Sequence, residues 1–313
     1  MLTLTFLGVG SAFARRNFQS NVLVEAWHQG PARQSTPDDT LLIDFGGTGP
    51  TALHRLKEKE GFAYLRCGDG VAYPTIRRLL VTHLHADHIG GLEEFAMVSR
   101  YVLGQPGTTA APHTELIATP ELIDRLWTES LRGGLEAQRG RPARLDDYFR
   151  VRPVHLIGSG EPDRFMLLDR YRFTLFRTDH VRMRRKYDWP SCGVLITDTA
   201  TNATVLFSGD TRFDPAGLGS MMIGAAAIFH DVQLEEEPDA IHATLSELRG
   251  LDESTRAKIT LYHYGDRWDH ADFVGVAVEF AGFARPQYRY PLFGDDPAQP
   301  VGHAPDRSAL IGP

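Results

Sequence analysis

One stretch constrains this chain more tightly than any other: Leu79-Leu80-Val81-Thr82-His83-Leu84-His85-Ala86-Asp87-His88-Ile89-Gly90-Gly91-Leu92. An apolar, β-branched run of this kind reads as a buried strand, and it empties directly into three histidines and one aspartate. Imidazole and carboxylate are the ligand set that suits zinc and its first-row neighbours. His83 and His85 are two positions apart, so an extended segment points both the same way. Asp87 and His88 then fall on the turn beyond, close enough to hold a second ion beside the first. Two ions about 3.5–4 Å apart form a clamp that activates a water and stabilises a leaving oxygen. A fold for this chain must therefore bury a strand and leave its end open to a site, where functional side chains are commonly carried.

The cluster at 83–88 cannot complete two ligand shells by itself, so further ligands are expected later, each at a strand end. Three are found. His180 closes the run that starts at Phe173. Asp210 follows Val205-Leu206-Phe207 in a Ser208-Gly209 turn, and His263 closes the run from Lys258. The repetition of an apolar run followed by a ligand carries more weight than any one match.

The rest of the composition narrows the class. With 313 residues there is room for one large α/β domain or two modest ones. A net charge of −7 argues against a surface that coats nucleic acid, and extended nucleic-acid binding is not expected. Cys67 and Cys192 are the only cysteines, so no disulfide framework is implied and a reducing compartment fits. The opening residues Leu2–Gly8 alternate like a strand rather than a leader. No apolar run approaches the roughly 20 residues that span a bilayer. The expectation is a soluble cytoplasmic protein with no membrane attachment.

Strands are expected at 2–7, 20–27, 40–44 and 77–82, then at 171–177, 192–198, 203–207, 223–229 and 258–262. Helical patterns lie at 51–60, 91–103, 120–132, 241–249 and 271–282. Residues 104–150 change character, with Pro106, Pro112 and Pro120 followed by a Gly/Arg-rich run at 133–142. This stretch reads as an insertion over the active-site face. Two halves of similar make-up suggest two sheets face to face with helices outside, an α/β chain built as a four-layer αββα sandwich. The expected organisation is a single domain over 1–294, with a flexible tail at 295–313.

The ordered set His83-x-His85-x-Asp87-His88, His180, Ser208-Gly209-Asp210-Thr211 and His263 resembles the ligand motifs of the metallo-β-lactamase superfamily. The resemblance spans residues 2 to about 270, and it implies the αββα fold with a dinuclear site at one edge of the sandwich. It implies that His83, His85 and His180 hold one divalent ion. Asp87, His88 and His263 would hold the other, with Asp210 bridging. The ions would be zinc, with manganese or iron as alternatives. Within the superfamily the chain is most similar to the branch of RNase Z and related phosphodiesterases. Its bridging residue sits in a Ser-Gly-Asp-Thr turn, Ile228-Phe229-His230-Asp231 resembles the branch's His-Glu segment, and His242 resembles its proton-donating histidine. A histidine steadied by a carboxylate, here Asp231, suits protonation of a leaving alkoxide near neutral pH. One departure is informative. RNase Z carries a tRNA-gripping arm between the third-motif histidine and the bridging aspartate, whereas here 29 residues separate His180 from Asp210. Two expected strands use most of them, so the arm is absent. Relatives pair as homodimers, and the resemblance extends that to this chain.

Other residues stay open between two roles. Arg182, Arg184, Arg185 and Lys186 form either an anion-binding edge or a solvated loop, and Arg212 is a similar candidate for substrate binding. His230 is either a packed core histidine or a partner that orients the site. Asp44 ends a strand near the site and is expected to hold loop backbone rather than metal. The reading adopted is a dinuclear metal-dependent hydrolase acting on a small or nucleotide-type phosphodiester. Its catalytic residues would be Asp87, His242 and Asp231. Alternatives are a lactonase or thioesterase acting at a carbonyl, an RNA or DNA nuclease, and a binding or sensor module without turnover.

Overall fold

The structure is a computed structural model that describes residues 1–104, 114–158, 164–183, 189–237, 240–273 and 275–293. Arg184, Arg185, Lys186 and the expected tail at 295–313 lie outside the described residues. In chain order the strands are β1 (Leu2–Gly8), β2 (Asn21–Ala26), β3 (Asp39–Ile43), β4 (Arg66–Cys67), β5 (Gly70–Val71), β6 (Arg78–Leu80), β7 (Glu115–Ala118) and β8 (Arg150–Pro153). They continue as β9 (Arg164–Leu167), β10 (Tyr171–Arg177), β11 (Cys192–Asp198), β12 (Thr204–Phe207), β13 (Ala227–Asp231), β14 (Ile259–Tyr262), β15 (Gly282–Phe283) and β16 (Arg289–Phe293). One seven-stranded sheet runs β16-β1-β2-β3-β6-β7-β8 and a second runs β15-β14-β13-β12-β11-β10-β9, while β4 and β5 form a small separate hairpin.

The two large sheets face one another, as the αββα reading requires. Alternation along each strand explains the layers. In β3, Leu41 and Ile43 point into the core between the sheets, whereas Leu42 points outward to the core beneath the helices. Every residue of β3 is buried because both of its faces are covered. Phe6 of β1 shows the sheets meeting: its ring lies 5.6 Å from Phe229 and 5.5 Å from Tyr262, both on the opposite sheet. The outer core joins Leu79 and Leu116 to Leu53, Leu92, Phe95 and Leu126 on the helices.

Strand direction places the site. β3, β6, β7 and β8 run parallel, as do β12, β13, β14 and β15. Parallel strands bring their carboxyl ends to one edge, and ligands bind in the crevice beyond those ends. The segments after β6, β10, β12 and β14 all open there.

Three expectations are revised. The strand expected at 223–229 begins later, at Ala227, because Pro215–Gly224 is helical. Pro215 starts that helix and the Asp214 carboxylate accepts from Gly217 N at 2.9 Å, a start signal that the apolar reading overlooked. The helix expected at 241–249 is only Leu245–Arg249, capped reciprocally by Thr244 and Glu247, so His242 precedes it. The described part of 104–150 continues the first sheet through β7, a helix from Pro120 and then β8. No described residue of that stretch lines the cavity presented below.

Candidate metal centre

His83 to His88 follow β6 as an extended segment that turns into the short helix Ala86–Ile89. The extended part brings His83 Nε2 to 3.0 Å from His85 Nδ1, and β10 delivers His180 Nε2 to 3.2 Å from the same atom. Asp210 Oδ2 lies 3.8 Å from His83 Nε2 and 4.0 Å from His180 Nε2. On its other side Asp210 Oδ2 is 3.1 Å from His88 Nε2 and 3.2 Å from His263 Nε2. Asp87 Oδ2 completes that second group, 3.3 Å from His88 Nε2 and 3.2 Å from His263 Nε2. The seven residues named from sequence thus gather as two clusters that meet at one carboxylate oxygen.

The donor set fits two ions. Four ligands at about 2.0 Å from a tetrahedral zinc are about 3.3 Å from one another, close to the spacings observed here. Both Asp210 oxygens and His88 Nε2 are buried without hydrogen-bond partners, which is costly unless something else occupies their lone pairs. Burial is the largest influence on the His83 and His180 imidazoles. It holds His83 well below the ordinary histidine range and His180 at about 4, so both are neutral bases ready to donate a lone pair. Burial works the other way on the Asp87 and Asp210 carboxyls, but the surrounding imidazoles, His263 and His88, outweigh it and keep both ionised.

Outer contacts orient these side chains. His88 Nδ1 lies 2.7 Å from Asp44 Oδ2, and the other Asp44 oxygen accepts from Thr82 N at 2.8 Å. Asp44 therefore grips the loop and turns His88 Nε2 inward, as metal-site carboxylates do for histidine ligands. His83 Nδ1 faces Thr82 Oγ1 at 3.1 Å, and His180 Nδ1 donates to the Ile241 carbonyl at 2.8 Å. Local backbone is bent to serve this edge. His263, Asp44 and Gly209 all have positive φ, of 64°, 60° and 63°, and for the two non-glycine residues that conformation is strained. At Gly209 a Cβ would also lie 2.4 Å from the Cys192 carbonyl oxygen, which explains the glycine in this turn.

His242 stands over the clusters. Its Nδ1 is 2.9 Å from Asp231 Oδ2, and its ring is 4.9 Å from that of His180 and 4.5 Å from that of His263. Asp231 is buried at the end of β13 and also accepts from Thr211 N at 3.1 Å. Burial disfavours a charged His242, but the Asp231 hydrogen bond and the Asp210 and Asp231 charges raise its pKa above the ordinary value. His230 is buried behind it and donates from Nδ1 to the Asp231 carbonyl at 2.7 Å.

His85, Asp87, Asp210, His242 and His263 floor a cavity of about 640 Å³. Its walls bring in residues that sequence reasoning passed over: Phe13 and Gln19 from the loop after β1, and Gln233, Glu235 and Glu237 after β13. The Gly8 and Gly10 turn was visible, but nothing local marked it as facing a site more than 70 positions away. The basic candidates among the described residues, Arg182 and Arg212, lie elsewhere. Arg182 is exposed and forks onto Asp179, with Nε 2.9 Å from Oδ2. Arg212 donates its main-chain N–H to the Asp179 carbonyl at 2.7 Å. Neither lines the cavity.

With this geometry in place, comparison with known proteins is decisive. Residues 2–290 match the family described as Anti-Pycsar protein Apyc1. The chain belongs to the Anti-Pycsar Apyc1 family. It is 35% identical over 276 residues to the Apyc1 protein of Bacillus phage vB_BsuM-Goe3, covering 87% of this chain and 92% of that one. Solved structures share the fold. The metallo-β-lactamase fold protein YhfI from Bacillus subtilis superposes with a TM-score of 0.61 at 14% identity, over 92% of this chain and 98% of that one. Human tRNase Z, short form, superposes with a TM-score of 0.55 at 18% identity, over 85% and 94%. This Apyc1 family member thus has the metallo-β-lactamase fold. Among its described residues no helix is long and apolar enough to cross a membrane.

Proposed function

We propose that the chain is a phosphodiesterase that opens a small cyclic nucleotide. The observation that carries this reading is the pairing of two ligand clusters with a carboxylate-held histidine on the floor of one cavity of about 640 Å³. That volume suits a single nucleotide, since small-molecule sites run from roughly 300 to 1,000 Å³. The short connection from His180 to Asp210 supplies no arm for a large RNA.

In this reading His83, His85 and His180 would hold one divalent ion, Asp87, His88 and His263 would hold the other, and Asp210 would serve both. Bound there, the pair would supply an activated water and Lewis-acid stabilisation of the phosphoryl oxygens. The chain contributes the rest. Asp87 steers the proton of the attacking water. As the phosphorus–oxygen bond to the departing alkoxide breaks, His242 gives that oxygen its Nε2 proton and becomes neutral. The Nδ1–H goes on donating to Asp231 Oδ2, which keeps the ring in place through the transfer. Glu235 and Glu237 repel a phosphodiester anion from their wall and favour its seat on the floor. Phe13, 86% exposed at the mouth, offers a ring face on which a base can stack.

The test is incubation of the purified protein with cyclic nucleoside monophosphates and with bis-p-nitrophenyl phosphate, metal content being measured on the same sample. Chelator-sensitive ring opening at two ions per chain is expected. Two bound ions with hydrolysis of lactones or thioesters, and none of phosphodiesters, would replace this reading with the carbonyl-directed one.

A further inference from the structure

His85 is anchored differently from its neighbours. The second ring nitrogens of His83, His88 and His180 each meet Thr82, Asp44 or the Ile241 carbonyl. His85 turns Nδ1 toward His83 and His180, and among the described residues its Nε2 makes no hydrogen bond. Its ring instead stacks on the indole of Trp189, with centroids 5.4 Å apart and planes 25° from parallel. Trp189 is in turn gripped by Arg125, whose guanidinium carbon lies 4.8 Å over the indole. Arg125 is 9% exposed and is locked by a fork onto Glu129, one turn along the same helix, with Nη2 2.9 Å from Oε2. The Trp189 N–H is buried and finds no acceptor among the described residues, so the ring faces, not the N–H, account for its place there.

We infer that Trp189 is a positioning residue for the metal centre: held by Arg125 and Glu129, its indole fixes the plane of the His85 imidazole and so aims Nδ1 at the first ion. This adds to the metal-site reading and rests on it. The physical reason is that His85 turns Nδ1 toward a crowded cluster and itself borders the cavity, and no group among the described residues hydrogen-bonds its Nε2. A stacked aromatic restrains the same rotation without occupying either nitrogen. The cation over the indole holds that aromatic in place. The helix beginning at Pro120, which does not reach the cavity itself, thereby supports it from behind.

The experiment is zinc titration of the chelator-stripped, full-length protein against a chromophoric competitor, in wild type, Trp189→Leu, Trp189→Phe and Arg125→Met. Folding is checked by circular dichroism and melting temperature. Weakening of one of the two ions by about 10- to 100-fold is expected in Trp189→Leu, the range found when groups that orient a ligand are removed. The other ion should stay near its wild-type affinity, and Trp189→Phe should recover most of the loss. The cobalt(II)-loaded Leu variant should show altered d–d absorption. If Trp189→Leu does not fold, Arg125→Met, which keeps the indole, is expected to show a smaller loss confined to the same ion. A folded Trp189→Leu with both affinities and the cobalt spectrum unchanged would overturn the inference, as would equal weakening of both ions in Leu and Phe alike. Wild-type protein that binds no ion would instead remove the metal-site reading itself, so the two failures are distinguishable.

Discussion

His242 Nδ1 and Asp231 Oδ2 lie 2.9 Å apart at the end of β13, joining a loop histidine to a buried carboxylate that touches neither ligand cluster by hydrogen bond. The pair can therefore be cut without removing a proposed ligand. His242→Ala is expected to keep both ions and to lose about 10²- to 10⁴-fold in phosphodiester turnover, the usual contribution of a positioned acid. Unchanged turnover at verified metal content would take His242 out of the mechanism.

Asp210 contrasts with it. Its Oδ2 is the one atom shared by both clusters, so Asp210→Ala should lose metal along with activity. Elemental analysis after dialysis is the measurement. Two ions still tightly held in the variant would contradict the bridging assignment.

Asp44 acts through its neighbours. Asp44→Asn can satisfy only part of what the carboxylate accepts from Thr82 and His88. Metal affinity should fall about 10- to 100-fold, as when other orienting carboxylates are replaced. Competition titration measures it, and full affinity in the variant would show that His88 orients itself.

Gly46 is a packing test of the same edge. A Cβ there would stand 1.7 Å from the Asp87 carbonyl oxygen, so the turn carrying Asp87 and His88 must move. Gly46→Ala should cost about 1–3 kcal/mol in stability, as overpacking does, and should weaken metal binding. A variant with wild-type melting temperature and metal content would show that the turn yields freely.

Phe13 tests the substrate class. If a base stacks on it, Phe13→Ala should lower kcat/KM for a cyclic nucleotide by about 5- to 150-fold, equivalent to about 1–3 kcal/mol of stacking. The base-free cyclic ribose phosphate should be turned over as before. Equal losses on both would assign Phe13 to the shape of the mouth rather than to base recognition.

The seven clustered residues were legible because they lie at or just beyond the ends of apolar runs, and the strand ends after β6, β10, β12 and β14 share one edge. Strands at 171–177 and 192–198 fell on the expected residues for a related reason, since apolar, strand-favouring side chains run through both. The run at 223–229 misled because Ile223, Ala225, Ala226 and Ala227 suit a helix end as well as a strand. Only the Asp214–Pro215 start signal separated the two.

Sequence alone determined the αββα sandwich and the seven residues at its open edge, because burial and side-chain alternation are local properties that survive without coordinates. Tertiary structure decided which groups orient those residues. Trp189 reaches His85, Asp44 reaches His88 and the Ile241 carbonyl reaches His180, across separations of 104, 44 and 61 positions. It also decided which walls close over the floor and left Arg182 and Arg212 away from them. Contacts of that range depend on how two sheets pack, and no spacing along the chain records it.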